Sequence, residues 1–389
     1  MKNPLRIFAA ACMVLAGAGL VAWMYALTLT DKNATERDFI QYWAAEQQLA
    51  HGANPYDIRA VLRLEQAAGL DGNFPKVTFS PPVAFFFALP LGYVSAKAGL
   101  ILWLLLLLAC AGVSAWFLWF LHGRPQSRFH LLVFAFPPVL SCLMAGQLGI
   151  FFLLGIVLFL LLHQSQPWLA GAALFVCALK PHLFLPCAVV LLLWSGRRRN
   201  FRVVAGFLSA LAFGSALSLL LDRHVWSEYA QMMRSTRVLD VFIPTVSVAF
   251  RFIVDRNARW LEFIPEAAGC IWAAWYFWTR RDRWSWSEDG LLLLLVSALC
   301  TPYLWFSDQA MLFPAILAGV YRSEKSLRAW ILLGLITAAS LIGFFGEIPL
   351  PSAFYLWTVP AWLAWYLYAT RTGSARSLPD RREIAAITD

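Results

Sequence analysis

Apolar runs recur along most of the chain, separated by short polar connections. They fall at about 7–29, 97–121, 129–146, 149–163, 168–180, 182–195, 201–221, 260–279, 289–306, 308–321, 328–345 and 353–370. A membrane span needs about 20 residues to cross about 30 Å of hydrocarbon. The pattern therefore predicts an all-α polytopic membrane protein with about twelve spans. The runs at 149–163, 168–180 and 182–195 are short, which suits broken or steeply packed helices around a cavity. Residues 7–29 follow Lys2 and Arg6, are too long for a signal-peptide core, and read as a retained first span. Two stretches resist the membrane reading, at about 31–80 and 222–259; both are too charged to span. Residues 1–372 read as a single transmembrane domain, and 373–389 as a polar tail.

Composition agrees with the pattern. Hydrophobic residues make up 60% and charged residues 14%, against about 45–50% and about 25% in soluble domains. A soluble enzyme, a disordered chain and a secreted disulfide scaffold are all disfavoured. The seven cysteines lie in apolar runs without a Cys-x-x-Cys pair, as small buried hydrophobes do.

Charge orients the spans. With the N-terminus inside, inner segments hold 18 of the 31 basic residues against seven acids, a net of +11, and the rest of the chain carries −2. The short connections at 196–202, 280–288 and 321–328 carry most of this bias, where the positive-inside rule is strongest. Both termini are then cytoplasmic, and 31–80 and 222–259 lie outside. The net charge of +9 is a topology signal and not a nucleic-acid footprint.

Ionisable groups at membrane depth or its edge are functional candidates, because burying them costs several kcal/mol. The first outer segment reads Asp38-Phe-Ile-Gln-Tyr42-Trp43-Ala-Ala45, then Gly52-Ala-Asn-Pro-Tyr56-Asp57. Asp38, Tyr42 and Ala45 share one face of a short helix. Asp38 reads equally as a general base and as a helix N-cap. Ser80-Pro81-Pro82, Phe85-Phe86-Phe87 and Leu89-Pro90-Leu91 predict short interfacial helices. Gly146-Gln147 and Lys180-Pro181-His182 fall at outer ends of their runs. There Lys180 and His182 suit a phosphate diester, against the plainer reading of a snorkelling lysine and an interfacial histidine. In the second outer segment Arg237 and Arg251 read as added phosphate contacts or, more plainly, as solvated surface charges. Asp308 follows Thr301-Pro302-Tyr303-Leu304-Trp305, and three readings stay open for it: orienting a sugar hydroxyl, pairing with a base, or capping a helix. No phosphate-binding Gly-x-x-x-x-Gly-Lys loop, His-Glu-x-x-His or EF-hand loop is present. No acidic metal cluster is evident, so neither a metal nor another cofactor is expected.

In order and spacing these pieces resemble glycosyltransferase family 87: Asp38…Tyr42-Trp43, Gly52 to Asp57, Ser80-Pro81-Pro82, Leu89-Pro90-Leu91, Gly146-Gln147, Ala170-Gly171 before Lys180-Pro181, and Thr301-Pro302-Tyr303…Asp308. The resemblance runs from about 30 to 320. It implies a GT-C-like fold and a bacterial inner-membrane enzyme with an extracytoplasmic site. The enzyme would move a sugar, in some members mannose, from a polyprenyl-phosphate donor to an acceptor hydroxyl on a glycan or glycolipid. It also implies Asp38 as general base and Lys180 as the lysine of the family's Lys-Pro. Tyr42, Tyr56, Gln147, His182, Arg237, Arg251 and Asp308 complete the expected substrate-binding set. Some members carry a His pair after the late Pro-x-x-Trp; here that stretch reads Trp305-Phe306-Ser307-Asp308, and His182 is the substitute. The alternatives are a transporter or flippase of a lipid-linked sugar, a ligase using a diphosphate donor, and an envelope scaffold.

Overall fold

The computed structural model describes residues 33–235 and 242–372. The expected first span at 7–29, Arg237 and the tail at 373–389 lie outside the described residues. Among the described residues all regular structure is helical. Three helices are long and apolar enough to cross a membrane: Ala96–Leu121, Arg202–Leu221 and Leu327–Phe345.

The other apolar runs are shorter helices or are broken where the sequence places proline. Residues 129–146 divide into a 3-10 turn, Phe129–Ala135, and an α-helix, Pro137–Ala145. Residues 168–180 run as an α-helix, Pro167–Ala173, that tightens into a 3-10 turn, Leu174–Leu179. A second 3-10 turn, Pro181–Phe184, leads into the helix Leu185–Arg198. The run from 289 stops being helical at Cys300 and continues extended through Thr301–Trp305. Proline in the first turn suits a helix start, because its missing N–H would be unpaired there anyway. Each break leaves backbone groups outside the α-helical ladder, and those are the places where side chains gather. By contrast, the short run at 149–163 is one unbroken helix, Gly149–Leu162.

The chain forms two compact units. Among the described residues, the first comprises 33–110, 140–148 and 210–235, and the second 111–139, 149–209 and 242–372.

In the first unit, the helix Phe39–Ala50 packs on the 3-10 turn Leu89–Tyr93. Gly92 permits the approach, since a Cβ there would collide with the Glu46 carbonyl and the Ala50 side chain. Ala45, Leu49, Tyr56, Phe85, Val225 and Met232 form a buried apolar cluster beside it. The stretch expected to form short interfacial helices folds as three short helical pieces, Pro82–Ala84, Phe85–Ala88 and Leu89–Tyr93. Ser218 Oγ donates to Pro82 O at 2.7 Å and ties them to the helix Arg202–Leu221.

In the second unit, Leu185–Arg198 packs along Phe263–Arg280, and Gly149–Leu162 packs on the 3-10 turn Phe306–Leu312. A side chain at Gly149 would strike the Ser307 carbonyl, and one at Gly171 the Val203 carbonyl. The Ala170-Gly171 pair is therefore a helix-packing site. On the side read as cytoplasmic, the Asp289 carboxylate accepts from Tyr276 Oη at 3.0 Å, Arg280 Nη1 at 2.9 Å and Ser285 N at 3.1 Å. Arg322 pairs with Glu288 at 2.9 Å.

Candidate functional site

The first unit gathers polar side chains around Asp38. The helix Phe39–Ala50 begins immediately after it, yet Asp38 is not a side-chain cap: its backbone is already helical and its carboxylate makes no capping hydrogen bond. Instead Asp38 Oδ2 accepts a 2.6 Å hydrogen bond from Gln147 Nε2. Gln147 Oε1 in turn accepts from Tyr42 Oη at 2.9 Å. The two bonds fix the amide's orientation, with its NH₂ toward the carboxylate. Gln147 is buried, whereas the Asp38 side chain is 42% exposed. The result is an open carboxylate held from beneath by a closed donor chain.

Local sequence explains why Gln147 arrives there. Gly146 has φ +70°, and a Cβ at this position would lie 2.7 Å from Phe39 Cβ. Only glycine accepts both the left-handed backbone and the contact. The Gly146 carbonyl accepts from Trp103 Nε1 at 2.8 Å. Arg37, buried, donates to Met144 O at 2.7 Å at the end of the preceding helix. This arginine, one residue before Asp38, pins the two segments together and belongs to no motif read from the sequence.

Two more residues escaped the motif reading. Lys76 Nζ donates to Glu36 O at 2.7 Å and stands 4.0 Å from Asp38 Oδ1. The Lys76 backbone N–H donates to both oxygens of the buried Glu65 carboxylate. Burial lowers the Lys76 pKa, and the neighbouring Asp38, Glu65 and Glu36 charges oppose that shift. Burial pushes Glu65 up to about 7, against the lowering effect of the Lys76 N–H and ammonium. Further along the same helix as Asp38, burial raises Glu46 well above the usual carboxylate range.

Tyr56 is placed differently from Tyr42. It is buried, packs on Phe85 and Tyr229, and donates through Oη to Ser80 O at 2.8 Å. Its motif is a turn and a cap. Asn54 Oδ1 accepts from Tyr56 N, and Asp57 accepts from Arg59 N and Ala60 N to cap the helix Ile58–Ala67.

The second unit gathers a second group around Asp308, which is fully buried. Lys180, in the break between two 3-10 turns, donates to both Asp308 oxygens at 2.7 and 2.8 Å. Asp308 Oδ2 also accepts from Trp305 N at 3.0 Å. Of the three open readings for Asp308, pairing with a base is present; it does not cap the following helix, Phe313–Arg322, and its carboxylate instead takes the N–H of Trp305 at the start of its own turn, Phe306–Leu312. Lys180 is therefore a fixed ammonium already balanced by a carboxylate, not a snorkelling surface lysine. Its Nζ lies 5.7 Å from the centre of the Tyr303 ring, a cation–π geometry. The ring of His182 meets Tyr303 edge-on at 5.5 Å, and His182 O accepts from Thr301 Oγ1 at 3.2 Å. Among the described residues, His182 Nε2 is buried without a hydrogen-bond partner.

Arg251 departs from the plainer sequence reading. It is buried rather than solvated, and its Nε pairs with Glu262 Oε1 at 2.9 Å. Ser247 Oγ donates to Cys300 O at 2.8 Å and Thr245 Oγ1 to Pro302 O at 3.3 Å. The Arg251 helix is thus pinned to the extended stretch that leads into Tyr303 and Asp308. Among the described residues no three His, Cys, Asp or Glu side chains form a metal-binding group.

The family model for glycosyltransferase family 87 matches residues 79–302, more than half of the chain. The chain belongs to glycosyltransferase family 87. No curated protein and no solved structure matches the chain significantly. With three helices suited to crossing a bilayer, membership makes it a membrane glycosyltransferase. The matched region of this family 87 chain contains Gln147, Lys180, His182 and Arg251. Asp38 and Asp308 lie outside it, one on each side. Each is nevertheless hydrogen-bonded to a residue within it, Asp38 to Gln147 and Asp308 to Lys180.

Proposed function

We propose that the protein transfers a sugar, mannose being the family's precedent, from a polyprenyl-phosphate donor to an acceptor hydroxyl on the extracytoplasmic side, with inversion and with Asp38 as general base. One observation carries the assignment of the base. Asp38 begins a helix without capping it, and its carboxylate is instead oriented by a buried amide and left open to solvent.

In this reading the chain is a GT-C-like protein of about twelve spans. Several of these would be composites of a 3-10 turn and an α-helix, with both termini cytoplasmic. The basic connections around Arg197, Arg280 and Arg322 support that orientation. Asp38 takes the proton of the acceptor hydroxyl as its oxygen bonds to the anomeric carbon. The bond from that carbon to the phosphate oxygen breaks, and its electron pair leaves with the lipid phosphate. General-base assistance contributes roughly 10²–10⁴-fold, and Gln147 and Tyr42 hold the base in its geometry. Lys180, steadied by Asp308, is the candidate contact for the donor phosphate, with His182 beside Tyr303 as a second donor. Arg251 and Tyr56 support their segments, and Arg237 remains a candidate phosphate contact. Cationic side chains serve the leaving group here, and no step calls for a metal or another cofactor.

The test is release of free polyprenyl phosphate by purified protein in lipid, across a panel of polyprenyl-phosphate sugars, with an envelope glycolipid fraction as acceptor. Release that depends on the acceptor and is abolished by Asp38→Asn supports the reading and names the sugar. Full activity of Asp38→Asn removes Asp38 as the base.

A further inference from the structure

The segment from Gly69 to Pro81 has no regular structure, yet its one lysine is held through both backbone and side chain. Glu65, fully buried, takes the Lys76 N–H with both oxygens at 3.2 and 3.0 Å. Burying a carboxylate is costly unless it is hydrogen-bonded, and here both oxygens share one backbone N–H. At the other end the ammonium donates to Glu36 O, two residues before Asp38, and comes within 4.0 Å of the Asp38 carboxylate. A lysine serving only solubility needs neither restraint. The side chain is still about one-third exposed. Its ammonium has three donors, and the distance to Asp38 is too long for a direct hydrogen bond.

We propose that Lys76 is an acceptor-binding residue, its ammonium hydrogen-bonding an acceptor oxygen next to the hydroxyl that Asp38 deprotonates. The proposal rests on Asp38 acting as the base. In an inverting displacement the nucleophile and the leaving phosphate occupy opposite faces of the sugar ring. A cation 4 Å from the base stands on the nucleophile's face and so meets the acceptor, not the departing phosphate. The ligand class is a polyhydroxyl acceptor with a second oxygen adjacent to the reacting one. Glu65 is the positioning residue that sets the lysine there.

The experiment compares wild type, Lys76→Met, Lys76→Arg and Glu65→Gln, each full-length in lipid. At fixed donor two rates are measured: transfer to an envelope glycolipid fraction over a range of its concentration, and donor hydrolysis, in which water replaces the acceptor. Loss of one charged hydrogen bond raises the acceptor concentration for half-maximal transfer by about 10- to 100-fold in Lys76→Met. Hydrolysis needs Asp38 but no acceptor, so it registers only what the lost charge 4.0 Å away does to the base and falls by less than transfer does. Lys76→Arg recovers most of the loss, and Glu65→Gln shows a smaller shift in the same direction. Equal losses of hydrolysis and transfer would overturn the proposal and make Lys76 a support for Asp38. So would an unchanged acceptor dependence in Lys76→Met. Failure of the underlying reading looks different: a wild-type protein that releases no polyprenyl phosphate, or an Asp38→Asn variant at full rate, overturns both.

Discussion

Gln147 offers the sharpest test of how the site is built. Gln147→Leu removes two hydrogen bonds with different consequences. Asp38 loses a charge-assisted donor at 2.6 Å but is open enough to recover water. Tyr42 Oη, in a buried ring, loses its acceptor at 2.9 Å, and the loss of one hydrogen bond costs about 0.5–1.5 kcal/mol. The fold should therefore weaken by about that amount, enough to lower the apparent melting temperature in detergent without preventing insertion. The catalytic effect comes from lost orientation, for which a displacement of about 1 Å costs on the order of 10²-fold. Tyr42→Phe, which keeps the Gln147–Asp38 bond, should cost less in both measures. A double-mutant cycle settles whether the glutamine acts through the aspartate. In Asp38→Asn the acidic base is gone, so adding Gln147→Leu should reduce polyprenyl-phosphate release little further. If the two losses multiply in the double variant, Gln147 does not work through Asp38, and the proposed donor chain is wrong.

Other outcomes follow from the same geometry. Asp308→Asn leaves the largely covered Lys180 ammonium, 14% exposed, without this counter-charge and should destabilise the protein by up to about 3 kcal/mol; the double variant Lys180→Met with Asp308→Asn should regain most of that in thermal unfolding. Gly146→Ala forces an alanine into φ +70°, costing about 1–2 kcal/mol, and pushes on Phe39 beside the base, so both melting temperature and transfer rate should fall. Glu65 predicts a pH effect: with its pKa raised to about 7 from an ordinary 4.5, its contribution is complete below pH 4.5 and is lost as pH rises through 7. The unfolded chain ionises across that interval while the folded one resists, a loss of up to about 3 kcal/mol. Glu65→Gln should lose that slope, so the difference between its melting temperature and the wild type's should change with pH across this interval.

What the sequence revealed and what it hid divide along physical lines. Apolar runs predict helices, and among the described residues the structure is largely helical where they occur, the stretch 301–305 excepted. Asp38 and Tyr42 could be paired from their spacing of four, since a helix places such residues on one face. Their shared partner could not, because Gln147 lies more than a hundred residues away and no local pattern encodes that meeting. Gly146 was the available signal: a glycine directly before a lone polar residue between two apolar runs marks a tight turn. Lys76 and Glu65 were invisible for another reason. Their bond runs from a backbone N–H in an irregular segment to a side-chain carboxylate, and neither periodicity nor residue type at the donating end carries information. Arg251 misled in the opposite sense. A charge in a polar segment reads as solvated until the fold supplies Glu262.

The two polar centres share a construction that bears on mechanism. Asp38 and Lys180 both sit where an ordinary helix has been withheld: Asp38 at a helix start that it does not cap, Lys180 between two 3-10 turns, the second opened by Pro181. In a continuous helix the backbone satisfies itself and the side chains on one face point into lipid or core. At a break, backbone groups need partners, and side chains such as Arg37 and Thr301 are drawn in to supply them. That need is local and structural, but it concentrates donors and acceptors at fixed positions and holds them stiffly. A base or a phosphate contact placed among them then has few conformations to lose when substrate binds. Straightening a break should therefore reduce turnover more than stability. Pro181→Ala, which returns an N–H to the start of a turn and leaves the Lys180–Asp308 atoms untouched, is the variant in which those two effects separate.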